Sequence, residues 1–483
     1  MFSAGNDKTQ IEHYRGNFIG MIFQEPMTSL NPVLTCGLQV KETLRAHLKL
    51  NNKQATEKTI ELFRLVELPD PELTFLRYPH QLSGGQRQRV MIAIAICCNP
   101  LLLIADEPTT ALDALIQKNI INLLQKISNE NKLAVLLITH DLALVSQVAH
   151  RLIVMQEGRI VEQGNTQNIL ISPATTYTKA LIACRPSSND PHKYLPTIRE
   201  VIEEKYHPAE KIKRTEDDTV VLDVKDLNVY YLQKQSALIR SVFLKAVDGI
   251  NMTVRKNEIV GLVGESGSGK SSFGKALLKL IPVTSGKVIL DGTDLISLSE
   301  KELRESRKKI QMVFQDPYSS MNPSMRIKDI LLEPLIIHKA GTNKWRLEKV
   351  VTMLEKLELN AALLDRYPHE FSGGQRQRIC IARALITDPA FVVFDESVSA
   401  LDVSVQAQVL NMINKLKEEM NFSALFISHD LAVVHYISDR IYVIRAGKIV
   451  ESGDSDQLYR FPENPYTRTL IEAIPGRNLQ VHP

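Results

Sequence analysis

Gly264-Glu265-Ser266-Gly267-Ser268-Gly269-Lys270-Ser271 is the stretch whose reading decides the fold. It fits G-x-x-x-x-G-K-[ST], the pattern of a loop that cradles phosphates. An apolar run, Ile259-Val260-Gly261-Leu262-Val263, precedes it. A helix-like run from Phe273 to Leu280 follows, through Ser272. The spacing predicts strand, loop and helix in that order. Glycines at 264, 267 and 269 let backbone N–H groups close around phosphate oxygens, and the helix N-terminus adds a favourable partial charge. Lys270 would then reach the β- and γ-phosphates, and the Ser271 hydroxyl would hold Mg²⁺. A glycine-rich turn that merely joins a strand to a helix is the plainer alternative, and the flanks argue against it.

Composition bounds the rest. A chain of 483 residues predicts about two to four domains. With 44% hydrophobic and 23% charged residues it has ample material for full cores. A net charge of +3 is too small to argue for nucleic acid, and none is expected as a partner. The most apolar stretch, Val90 to Ala105, is broken at Asn99-Pro100, so no membrane-spanning helix is expected. The residues from Met1 to Lys8 have no apolar signal-peptide core. Cys36, Cys97, Cys98, Cys184 and Cys380 form no C-x-x-C and read as buried thiols rather than disulfides or a metal site. Any membrane role is therefore expected to be peripheral.

The chain contains itself twice. Met21-Ile-Phe-Gln-Glu-Pro-Met-Thr-Ser-Leu-Asn-Pro32 matches Met312-Val-Phe-Gln-Asp-Pro-Tyr-Ser-Ser-Met-Asn-Pro323 at an offset of 291. Arg77 to Arg89 matches Arg366 to Arg378, Leu103-Ile-Ala-Asp-Glu107 matches Val392-Val-Phe-Asp-Glu396, and Ile138-Thr-His-Asp-Leu142 matches Ile427-Ser-His-Asp-Leu431, all at an offset of 289. Four ordered blocks at so long a period mean two homologous domains. The stretch from Pro186 to Thr219 between them is charge-rich and predicts an exposed linker with little core. Residues 1–185, 186–219 and 220–483 are the expected first domain, linker and second domain. In each copy apolar strands alternate with helical runs, as in Ala134 to Thr139, Leu142 to Ala149 and Arg151 to Met155. This predicts α/β domains with a largely parallel sheet. Helical patterns at 37–76 and 326–364 predict an inserted helical subdomain in each copy.

The ordered set from Tyr231 to Gly453 resembles an ATP-binding-cassette (ABC) ATPase domain, a P-loop NTPase fold, and the repeat makes it a tandem pair. The resemblance implies ATP and Mg²⁺ as cofactors and ATP hydrolysis as the reaction. It implies that Tyr231 stacks on adenine, although a core tyrosine on a strand reads equally well locally. Residues Gly264, Glu265, Ser266, Gly267, Ser268, Gly269, Lys270, Ser271 and Ser272 would hold the phosphates. Gln315 in Phe-Gln-Asp-Pro would touch Mg²⁺ and the attacking water and link the site to transport subunits. Asp395 would hold Mg²⁺ through water, Glu396 would polarise the attacking water, and His429 would contact the γ-phosphate. Asp402 resembles the loop that couples the two sites.

Leu82-Ser-Gly-Gly-Gln86 and Phe371-Ser-Gly-Gly-Gln375 are the most specific signal. In the family this block caps the nucleotide of the opposite domain. One composite site would join the second-copy phosphate loop to Ser83, Gly84, Gly85 and Gln86. The other would join Gln24, Asp106, Glu107 and His140 to Ser372, Gly373, Gly374 and Gln375. It lacks a phosphate loop, because no G-x-x-x-x-G-K lies in residues 1–200 and the repeat offset puts the counterpart of Lys270 before Met1. The intact acids argue against long decay, so the first cassette is expected to be N-terminally truncated, through a truncated or wrongly started coding sequence rather than as a functional degenerate site. The second copy carries Ser397-Val398 where the first has Pro108-Thr109, which leaves the metal and base positions untouched.

Each copy ends alike. Pro173-Ala-Thr-Thr-Tyr177-Thr-Lys-Ala-Leu181 and Pro462-Glu-Asn-Pro-Tyr466-Thr-Arg-Thr-Leu470 share Pro-x-x-x-Tyr-Thr-x-x-Leu. This resembles the C-terminal signature of bacterial dipeptide, oligopeptide and nickel importer ATPases. The resemblance implies two integral-membrane permeases and a periplasmic substrate-binding protein as partners. It also implies a peripheral place on the cytoplasmic face of the inner membrane, and peptides such as glutathione or di- and oligopeptides as cargo, which the ATPase does not touch. Only Cys184 lies where some relatives carry an iron–sulfur cysteine cluster, so none is expected. Two alternatives remain open. One is a non-catalytic or half-active remnant of such an ATPase. The other is a tandem cassette protein acting on ribosomes, against which the short, mixed-charge linker and the tails argue.

Overall fold

A computed structural model describes residues 14–24, 29–110, 112–184, 194–206, 218–233, 242–399 and 401–474. The chain divides into two compact units, Met1–Ser172 and Pro173–Pro483.

In the first unit, β1 (Ile19–Ile22), β2 (Leu102–Asp106) and β3 (Ala134–Ile138) form a parallel sheet in that order. β4 (Arg151–Gln156) and β5 (Arg159–Asn165) form an antiparallel hairpin. Helices Cys36–Leu48, Asn52–Leu65 and Pro71–Leu76 fill the region read as a helical insert. The Asn51 side chain caps the second of these and exchanges a reciprocal bond with Gln54. The apolar stretch interrupted at Asn99-Pro100 is the end of one helix, Gly84–Ile96, and then β2.

The second unit carries two sheets. β6 (Val220–Gln233), β7 (Val242–Arg255), β9 (Ser285–Leu290) and β10 (Thr293–Asp294) form an antiparallel sheet in the order β10-β9-β6-β7. β8 (Ile259–Val263), β11 (Ile310–Val313), β12 (Phe391–Asp395), β13 (Ser423–Ile427), β14 (Arg440–Arg445) and β15 (Lys448–Asp454) form the order β11-β12-β13-β8-β14-β15. All pairings in this sheet are parallel except β14 with β15. β8, β12 and β13 are buried at every position, as strands covered on both faces must be. One core lies between the two sheets, around Phe273, Leu277 and Val288. The other lies under the helices, around Phe394, Phe426 and Leu410. The expected α/β fold with a mainly parallel sheet and helical inserts, here Ile327–Ile337 and Asn343–Lys356, is what the chain adopts.

The copies differ at one edge. β13 pairs with β8 on one side, and its Ala424, Leu425 and Ile427 are fully buried. The matching residues of β3, Val135, Leu136 and Ile138, are 37%, 47% and 46% exposed. Among the described residues no strand pairs with that edge of β3.

The boundary also differs from the expected one after residue 185. The first-copy tail, with its helix Thr176–Ala183, belongs to the second unit, and Cys184 is fully buried in that unit's core. Nor is the segment after it an exposed linker throughout. Leu195 is fully buried in the same core. The Asn411 side chain accepts from Leu195 N at 2.8 Å and donates to Leu195 O at 2.7 Å, mimicking a strand partner. The helix Ile198–Ile202 follows, closed by a capping box between Thr197 and Glu200. The reason is simple: Leu195 offers apolar area, and a single asparagine satisfies both of its backbone polar groups. All five cysteines are buried free thiols.

Replacing Asn411 by alanine strips both bonds and leaves the Leu195 amide and carbonyl unpaired. Denaturant unfolding of the second unit should show a loss of about 2 kcal/mol. A loss under about 0.5 kcal/mol would contradict this account of the docked segment.

Candidate functional site

The phosphate loop leaves the buried strand β8 and enters the helix Lys270–Leu277, which begins three residues earlier than the apolar pattern suggests. Gly269 holds φ at +109°, and a Cβ there would sit 2.0 Å from Ala246 O. A Cβ on Gly264 would sit 2.2 Å from Ile444 O. Both glycines are therefore required by the fit of the loop against β7 and β14. Ser266 and Gly267 form an exposed tip, whereas Ser268 is buried and its Oγ has no hydrogen-bond partner among the described residues.

Lys270 is 4% exposed, and its Nζ donates to Gly264 O at 2.8 Å and Glu265 O at 2.9 Å. The same Nζ lies 3.9 Å from Glu396 Oε1. Ser271 Oγ donates to Asp395 Oδ1 at 2.9 Å. Burial pushes the Asp395 carboxyl up, opposed by the Ser271 hydrogen bond, and the neighbouring Glu396 charge pushes the same way as burial. A buried cation, an orphaned hydroxyl, a serine and one carboxylate suit a phosphate-bound Mg²⁺, which is held by one or two carboxylates together with substrate oxygens.

Glu396 is the meeting point. Gln315 Nε2 donates to its Oε2 at 2.8 Å, and His429 Nδ1 lies 3.5 Å from the same oxygen. Burial pushes its carboxyl up, but the His429 hydrogen bond, the His429 charge and the Lys270 charge outweigh this and hold it below the usual range. Its backbone φ is +47°, a left-handed conformation costly for a glutamate, fixed by Glu396 N donating to Ile427 O at 2.9 Å. The first unit repeats this group. Gln24 Nε2 donates to Glu107 Oε2 at 2.7 Å, His140 Nδ1 lies 3.0 Å from Oε1, and Glu107 has φ +44°. Asp106 ends β2 as Asp395 ends β12. The strained glutamate, invisible in the motif, recurs in both copies.

Tyr231, 38% exposed, pairs with Leu244 across β6–β7, two residues from Ala246, whose carbonyl packs on Gly269. Asp402 caps the helix Val403–Met420 by accepting from Val405 N. The Ser-Gly-Gly blocks differ from a simple open anion cradle. Ser83 and Ser372 are N-caps whose Oγ accepts from Gln86 N and Gln375 N, with the glutamine amide oxygen returned to the serine N–H. Each glutamine is thus a capping residue. The second glycine of each pair is a packing residue: a Cβ on Gly374 would meet Val405 Cγ1 at 2.3 Å, and one on Gly85 would meet Ile116 Cγ2 at 2.8 Å. Gly373 faces open space, and a Cβ on Gly84 would make only ordinary contact with Leu112 at 3.4 Å.

The ABC transporter family model matches residues 3–110 and 247–399. The oligopeptide/dipeptide transporter C-terminal region matches residues 161–209 and 450–480. Among curated proteins, the glutathione import ATP-binding protein of Shigella dysenteriae serotype 1 is 43% identical over 97% of this chain and 76% of its own length. That of Escherichia coli K12 is 43% identical over 96% and 76%. This chain belongs to the ABC transporter ATPase family. It is an ATP-binding, ATP-hydrolysing subunit of the peptide-import kind. A solved dimeric ATP-binding cassette in a post-hydrolysis state with ADP and phosphate aligns with 48% of the chain and 98% of its own length, at 26% identity and a TM-score of 0.44. No helix among the described residues is long and apolar enough to cross a membrane.

Because the folded Asp395 carboxyl is raised, its charged form is disfavoured by folding. The resulting instability is present above the folded pKa and is relieved as pH falls through it. Asp395→Asn should therefore raise the melting temperature of the nucleotide-free protein at neutral pH while abolishing turnover. A lower melting temperature would contradict the electrostatic reading of this strand end.

Proposed function

We propose that the chain is the motor of a bacterial importer whose cargo is a small peptide, glutathione or a di- or oligopeptide, and that ATP held at residues 264–271 drives it. The carrying observation is the Glu396 group, with Gln315 at 2.8 Å, His429 at 3.5 Å and Lys270 at 3.9 Å around one strained carboxylate. The names of the relatives support the cargo.

In this reading residues 264–272 enclose the ATP phosphates and Tyr231 lies against adenine. Ser271, Asp395 and Gln315 hold Mg²⁺, which neutralises charge on the phosphates when bound. Lys270 gives up its loop carbonyls for phosphate oxygens. Glu396, held ionised, orients and polarises the attacking water, and His429 donates toward the γ-phosphate. The block Ser83, Gly84, Gly85 and Gln86 takes the nucleotide-capping role that it has in the family. Gln24, Asp106, Glu107 and His140 repeat the Glu396 group within the first unit, and Ser372 to Gln375 form the corresponding capping block of the second. Closure and reopening move two permeases that receive cargo from a periplasmic binding protein, with the chain peripheral on the cytoplasmic face.

ATPase assays of Glu396→Gln beside Lys270→Ala test the assignment. The first should bind ATP normally and lose at least about a hundredfold in kcat, and the second should lose binding. Full turnover in Glu396→Gln would refute the base assignment.

A further inference from the structure

We propose that Tyr466, the tyrosine of the C-terminal Pro-x-x-x-Tyr-Thr-x-x-Leu signature, is a positioning residue for the phosphate loop. Its hydroxyl accepts from the backbone N–H of Glu265 at 3.2 Å, across 201 residues of sequence. The motif thereby has a task at the nucleotide site as well as marking a tail.

The loop is braced at two other places. Gly447 N, in the β14–β15 turn, donates to Ser268 O at 2.9 Å, and Ser268 N donates to Glu265 O at 3.1 Å. Gly264 and Gly269 press on Ile444 O and Ala246 O. These hold the loop's start and its later part. The Glu265 amide, at the first bend, has Tyr466 as its acceptor. The tyrosine is itself fixed. Its ring is buried, and the Arg445 guanidinium lies 4.7 Å from the ring centroid. Asn464 caps the helix Pro465–Glu472, accepting from Tyr466 N at 2.9 Å. Glu451 on β15 accepts from Glu463 N at 2.7 Å and Asn464 N at 3.2 Å. Rigid contact therefore runs from the hairpin through the tail helix to the loop. Burial pushes the Tyr466 hydroxyl up to about 12, so it stays protonated at any working pH.

A loop already held in its bound shape loses less freedom when phosphate enters. The cradle serves ground state and transition state alike, so removing the brace should change KM for ATP and leave kcat. The ordinary alternative, that Tyr466 is only a packing residue, predicts lower stability with unchanged KM.

The test is Tyr466→Phe, which keeps the ring and removes the acceptor. KM for ATP should rise about fivefold, with kcat within about twofold of the parent and the melting temperature little changed. An unchanged KM would overturn the proposal, whatever the stability. Amide hydrogen exchange on the unaltered, nucleotide-free chain gives an answer that does not depend on the variant folding. The Glu265 amide should be protected, and exchange as fast as that of an open loop would also overturn it. The proposal rests on residues 264–271 being the phosphate loop. Lys270→Ala tests that separately, because retained ATP binding there would remove the loop reading itself, whereas unchanged KM in Tyr466→Phe removes only the brace.

Discussion

A buried ammonium governs this molecule. Lys270 is almost wholly shielded from water and is held by two carbonyls of its own loop, with the Glu396 carboxylate just beyond hydrogen-bond reach. A charge that deep is tolerable only where carbonyls or anions meet it. The arrangement around it follows. β8 must be buried on both faces to deliver the loop, β13 must pair with β8 and β12 with β13 to bring His429 and Asp395 alongside, and the glycines must let β7 and β14 approach. Carbonyls are weaker partners for the cation than phosphate oxygens, which carry full charge. The loop is therefore folded ready to exchange one set of partners for the other.

The two units share the glutamate group and differ in what surrounds it. Glu107 keeps its left-handed backbone, its glutamine and its histidine with no phosphate loop beside it in this sequence. Strain of this kind persists where the surrounding structure over-determines it, here through the Glu107 N to Ile138 O bond that copies Glu396 N to Ile427 O. The exposed apolar residues of β3 show that the first sheet has an edge which β8 covers in the second.

Much of this was legible in the residues. The repeat, the strand ends carrying Asp106, Glu107, Asp395 and Glu396, and the helical inserts all follow from periodicity and spacing. What escaped shares a physical cause: it depends on contacts between distant segments that leave no local pattern. Leu195 looks like part of a charged linker until Asn411 satisfies its backbone 216 residues away. The close approach of Ile116 to Gly85 and of Val405 to Gly374 likewise leaves no local trace. Gln86 and Gln375 stand in plain capping-box spacing, three residues after serine, so the bonds they exchange with Ser83 and Ser372 are legible from the sequence.

The central claim is that residues 264–271 build a competent ATP site. Its most direct test is Mg²⁺-ATP binding at equilibrium, by titration calorimetry under conditions where hydrolysis is blocked by Glu396→Gln. The account predicts saturable binding that is lost when Lys270→Ala is added; binding retained in that double variant would contradict it.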